Sequence, residues 1–124
     1  MCDWVLSQTQ NTLAPLVYAT ADPQGLKKIQ LKYGSEASSQ AVENFFKQLA
    51  IKLKEKGICN FIVAGGETSG VVTQSLQVDC FHIGPQIAPG VPWIKAVNHP
   101  LSLALKSGNF GDETFFTKAQ ETFL

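Results

Sequence analysis

Residues 58–76 read ICNFIVAGGETSGVVTQSL, and this stretch decides the fold. Phe61-Ile62-Val63-Ala64 is a continuous apolar run with no polar alternation, the pattern of a central strand covered on both faces. GGETSG at 65–70 is a glycine-bearing turn, and Val71 to Leu76 continue as a short helix. Upstream, Val42, Phe45, Phe46, Leu49 and Leu53 recur at three- and four-residue intervals and predict a helix over 35–56 with those side chains on its inner face. Ser35 is its candidate N-cap, and Gly57 stands where a left-handed C-terminal residue is needed. Helix, strand, turn and helix in succession are an α/β alternation.

Further strands are predicted at 16–19 (LVYA), 81–84 (FHIG) and 101–105 (LSLAL). The expected fold class is therefore α/β, a single domain with a largely parallel central sheet flanked by helices. Residues 1–14 fit a short helix, and Asp22-Pro23-Gln24-Gly25 a turn or helix start. Residues 84–93, GPQIAPGVPW, hold three prolines and two glycines, which argues for a loop without regular structure. Ile87, Val91 and Trp93 within it call for something to pack against. A closing helix over 112–122 places Phe115, Phe116, Ala119 and Phe123 inward, with Asp112 as N-cap.

Among 124 residues, ten basic side chains balance ten acidic ones, so no electrostatic footprint for nucleic acid exists. Lys27, Lys28 and Lys32, and Lys47, Lys52, Lys54 and Lys56, read as solvated faces. Cys2, Cys59 and Cys80 form no C-x-x-C and no zinc pattern, which suits reduced thiols. No apolar run reaches the roughly 18 residues of a membrane span, and the N-terminus lacks a signal-peptide layout. A soluble, cytoplasmic protein is expected.

GGETSG at 65–70 and KSGNFG at 106–111 each follow a strand and precede a helix. Small residues let backbone approach a bulky anion, and helix starts offer unpaired N–H groups. Gly65 and Gly66 suit a phosphate, Thr68 and Ser69 add hydroxyls, and Glu67 is a single acid for a magnesium-bound water. Neither turn is a P-loop or a dinucleotide fingerprint. The alternative is a tight strand-to-helix turn capped by Ser or Thr. Lys106 lies at the same edge, either meeting a phosphate or snorkelling. Phe110 either flanks an adenine or joins the core. His82 reads as a structural histidine, and His99 beside Pro100 as a surface turn. No nucleophile–base pair, catalytic residue or metal-ligand cluster is identified.

GGETSG, HIGPQIAPGVPW at 82–93 and LALKSGNFG at 103–111, with VYATADPQG at 17–25, resemble the C-terminal nucleotide-binding domain of the four-carbon acid sugar kinases. The resemblance covers nearly the whole chain. It implies ATP-dependent phosphorylation of a four-carbon sugar acid, a 3-oxo-tetronate, threonate or erythronate, with Mg2+. It also implies nucleotide phosphates lined by Gly65, Gly66, Glu67, Thr68, Ser69, Gly70, Gly108 and Gly111, although the family often has glycine where Asp112 stands. The expected domain is 1–124, a fragment lacking the N-terminal sugar-acid domain and the start of the nucleotide domain with its ATP-contacting serine. Such a fragment, whether from truncation, proteolysis or a split gene, would be inactive alone. It would pair with a separate N-terminal half or with itself. The competing expectation is a non-catalytic remnant that binds a nucleotide or docks to a partner.

Overall fold

The computed structural model describes residues 1–10, 13–19, 23–106 and 113–123. Its elements are α1 (Cys2–Ser7), α2 (Pro23–Tyr33), α3 (Ser35–Glu55), β1 (Asn60–Ala64), α4 (Gly66–Ser75), β2 (Phe81–Ala88), β3 (Val91–Ala96), β4 (Ser102–Lys106) and α5 (Phe115–Phe123). The four strands make one sheet in the order β1-β4-β3-β2.

The α/β class and the flanking helices are as expected. The sheet is mixed, and two of its three pairings are antiparallel. Only β1 and β4 run parallel, from Asn60↔Ser102 to Ala64↔Lys106. The difference arises at residues 84–93, which are a hairpin and not a loop. Proline and glycine are tolerated there because each falls where the ladder does not need it. Pro85 lies in an edge strand, between Ile83 and Gln86 where the register shifts. Pro89 and Gly90 form the two-residue turn closed by the Ala88↔Val91 pair, and Gly90 has φ +80°. Proline followed by a positive-φ glycine suits a type II turn. Pro92 faces Gln86, while the ladder from β3 to β4 begins only at Trp93.

The two faces of the sheet are packed differently, following the two-residue period of the strands. Val63, Ile94, Ala96, Leu101 and Leu103 meet Ala50 of α3 and Val72 and Leu76 of α4. Trp93 and Ala104 meet Ala119 of α5, with Ile62 and Ile87 against them. Val91 and Trp93 are buried, which satisfies the expectation that the 84–93 stretch packs against something.

Several local expectations are altered. Gly34, and not Ser35, is the N-cap of α3, and no side chain caps it. The C-terminus is as read: Gly57 has φ +97°, its N–H donates to Lys54 O, and Ile58 N–H donates to Leu53 O. That is a Schellman arrangement, with Ile58 packed near Leu53. Leu49 and Leu53 are buried, whereas Val42 and Phe45 are exposed, so the inner face of α3 is shorter than its apolar stripe. Residues 16–19 carry no strand; Val17 packs beside Val5, Leu49 and Leu53 while Leu16 and Tyr18 face solvent. β1 is an edge strand among the described residues, not a central one. His82, Cys59 and Cys80 are exposed. Phe115 and Ala119 are buried as the inner face of α5; Asp112 lies outside the described residues.

A Cβ at Gly84 would lie 3.0 Å from the backbone oxygen of Trp93. Paired backbone yields less readily than a side-chain tip. Gly84→Ala should therefore cost about 1–2 kcal/mol, read as a lower urea midpoint at unchanged m-value. An unchanged midpoint would mean that the hairpin opens there without penalty.

Candidate functional site

The turns singled out in the sequence emerge from neighbouring parallel strands. Ala64 and Lys106, the last residues of β1 and β4, are register partners. One residue further, the Gly65 N–H donates to Lys106 O at 2.7 Å. GGETSG thus leaves the sheet beside Lys106, the last described residue before the second turn. In α/β sheets the space beyond the carboxyl ends of parallel strands is where ligands bind.

Gly65 has φ +109° and ψ 132°, a conformation reserved for glycine, and it is the N-cap of α4. Its carbonyl accepts from Ser69 N–H at 2.9 Å, closing the first helical turn. No side chain caps α4. This bears on the alternative of a Ser/Thr-capped turn, because neither Thr68 nor Ser69 performs that task. The first N–H groups of a helix have no intrahelical partners and carry the positive end of its dipole. Gly66, Glu67 and Gly70 are exposed and Thr68 is half-buried.

Ser69 departs from the open hydroxyl donor expected. It is buried, and its Oγ has no hydrogen-bond partner among the described residues. A buried hydroxyl without a partner costs about 1–3 kcal/mol. The residues that remain open fit an anion through a glycine-bearing turn and an uncapped helix start. For a metal the fit is poorer. Glu67 is the lone acid of the turn, and the described residues contain no cluster of three or more His, Cys, Asp or Glu.

From the second turn, Lys106 is half-buried, with Nζ 5.9 Å from the centre of the Phe115 ring at the start of α5. That is the outer reach of a cation–π contact. Gly108, Gly111 and Phe110 lie outside the described residues. One supporting contact was not legible in the sequence: Trp93 Nε1–H donates to Ala119 O at 2.8 Å, anchoring α5. The only hint of it was a tryptophan in a proline-rich stretch.

A mixed α/β sheet whose two parallel strands end side by side, with an uncapped helix start after the first, defines a domain of the α/β class. The chain belongs to the family of nucleotide-binding C-terminal domains, which matches residues 1–116, within the four-carbon acid sugar kinases. It is 56% identical over 123 residues to the 3-oxo-tetronate kinase of Pectobacterium atrosepticum, covering 99% of this chain and 29% of the relative. It is 60% identical over 123 residues to that of Salmonella typhimurium, with the same coverages of 99% and 29%. The crystal structure of a Haemophilus influenzae protein superposes with a TM-score of 0.93 at 55% identity, covering 99% of this chain and 30% of that one. A Salmonella typhimurium LT2 protein whose crystal structure carries the name of a tRNA synthase superposes with a TM-score of 0.90 at 61% identity, covering 96% and 29%. The chain spans less than a third of the length of these curated relatives.

Proposed function

We propose that this chain is the ATP-binding portion of a kinase that phosphorylates a four-carbon sugar acid of the 3-oxo-tetronate type, and that it is inactive without an N-terminal sugar-acid-binding half. The observation that carries the reading is the Gly65 N–H bond to Lys106 O, which sets the start of GGETSG against the last residue of β4. The names of the relatives support the substrate class. The balanced charge of the chain argues against a tRNA partner.

ATP, when bound, would supply the phosphoryl group, and a Mg2+ carried with it would neutralise charge on the phosphates. The N–H groups at the start of α4 hold a phosphate, with Gly65 and Gly66 giving the backbone close approach. Thr68 adds a hydroxyl, Gly70 keeps the next helical turn free of a side chain, and Glu67 is the one acid that could hold a metal-bound water; Ser69, whose Oγ is buried, lies behind this surface. Gly108 and Gly111 complete the cradle from the second turn. Positioning both substrates is most of the work in phosphoryl transfer, and no base is identified in this chain. The proposed enzyme is cytoplasmic; among the described residues no helix is long and apolar enough to cross a membrane.

Calorimetric titration with ATP and Mg2+ tests the site. Wild type should bind, and Gly66→Val should weaken binding by at least about tenfold, or 1.4 kcal/mol, because a branched side chain then occupies the first residue of α4. Equal binding by both proteins would remove residues 65–70 from the site. No binding by wild type would show that this chain does not form a nucleotide site alone. Phosphorylation of a tetronate by the purified chain would overturn the predicted inactivity.

A further inference from the structure

The two edges of the sheet are built differently. β2 carries Pro85 and two register shifts, devices that blunt an edge against pairing. β1, NFIVA, has no proline, charge or bulge, and among the described residues nothing pairs with its outer side. Its composition is that of a strand with neighbours on both sides.

A second exposed feature adjoins it. Met1, Trp4, Leu16, Val17 and Tyr18 line a groove of about 360 Å³. Leu16 is 55% and Tyr18 70% exposed. Val17, which lines the groove, and Phe61 of β1 pack on the same cluster of Val5, Leu49 and Leu53. Residues 13–19 also touch the opposite face, where Ala14 N–H donates to Gln120 Oε1 of α5 at 2.8 Å. They carry no strand. An unblunted strand edge beside an exposed apolar groove is a surface made to be covered.

We infer that the outer edge of β1 and the Leu16–Tyr18 groove form one docking face, and that its occupant is the part of the kinase polypeptide that this chain does not span. The relatives are more than three times as long as the matched region, so most of their polypeptide lies outside it. The occupant presents an extended segment that adds a strand to β1, with apolar side chains that fill the groove; main-chain bonds give affinity and pockets give register. This inference deepens the proposed function, and it is measured without nucleotide, so its failure is distinct from a failure to bind ATP.

The test is co-expression of the 15N-labelled chain with the non-matching part of the Salmonella typhimurium 3-oxo-tetronate kinase, against the full-length Salmonella enzyme as the reference for native pairing. A one-to-one complex should form, and exchange of β1 amides on the unpaired side should slow by on the order of a hundredfold. Leu16→Asp and Tyr18→Asp, both at exposed positions, should leave the circular dichroism of the chain unchanged and weaken the complex by about tenfold or more. Absence of a complex, unchanged β1 exchange within it, or full affinity in the aspartate variants would overturn the inference. So would a concentration-dependent homodimer giving the same protection.

Discussion

Truncating Trp93 to alanine should destabilise the protein by about 3–5 kcal/mol, the usual cost of emptying a large buried aromatic site. Trp93 is 4% exposed and lies between the sheet and α5, against Ala104 and Ala119. Those neighbours are too small to refill the space. Trp93→Phe separates the packing part from the polar part. It keeps most of the apolar volume but removes the Nε1–H that donates to Ala119 O. Loss of one partner from a buried hydrogen bond costs about 1–3 kcal/mol. Urea unfolding of the two variants measures both numbers. A cost below about 1 kcal/mol for Trp93→Ala would mean that α5 is held by something else. The effect should reach the candidate site as well. α5 begins at Phe115, whose ring lies beside the Lys106 ammonium at the end of β4. A loosened α5 releases that end of the second turn, so Trp93→Phe should weaken ATP binding even though Trp93 is not among the candidate site residues.

The parts of the fold that depend on nearby residues were legible, and those that depend on distant ones were not. α3 ends where Gly57 was expected to end it, because a Schellman terminus is built from six consecutive residues. The apolar run of β1 reports what covers its faces, not what lies beside it, and so it was read as central. Leu16 to Ala19 has the same strand-like composition, but a ladder needs a partner that composition cannot name. The mixed sheet follows from the hairpin at 81–96, which the density of proline and glycine concealed. What mattered was position: Pro85 at a register shift, Pro89 and Gly90 in the turn, Pro92 short of the β4 ladder. The candidate site divides in the same way. Each turn was visible because it follows a strand. The adjacency of the strand ends that lead into them was not, because β1 and β4 are separated by α4 and the hairpin. Ser69 and Thr68 suggested caps by residue type, yet burial turns Ser69 to the interior and leaves α4 uncapped.

The glycines at the two ends of GGETSG should respond to alanine in opposite directions. At Gly65 space is not the obstacle, since a Cβ would lie 3.5 Å from Thr68 Oγ1, an ordinary contact. The obstacle is φ +109°, which an L side chain rarely adopts. Gly65→Ala must either hold that strain or rotate the entry to α4, at a cost of about 1–3 kcal/mol. Rotation would also break the Gly65 N–H bond to Lys106 O at the end of β4. Gly70 is the reverse case. It lies within α4, its φ is not positive, and a Cβ there meets nothing within 4 Å. Alanine at a helical position should add about 0.5–1 kcal/mol of stability. Urea midpoints for the pair should therefore move apart, down for Gly65→Ala and up for Gly70→Ala. ATP titration then distinguishes architecture from binding. If the open space over Gly70 is where the nucleotide approaches, Gly70→Ala should bind ATP more weakly while being the more stable protein. A loss of affinity in a stabilised protein cannot come from a damaged fold. Unchanged affinity in Gly70→Ala would confine the nucleotide contacts to Gly65, Gly66 and the first turn of α4.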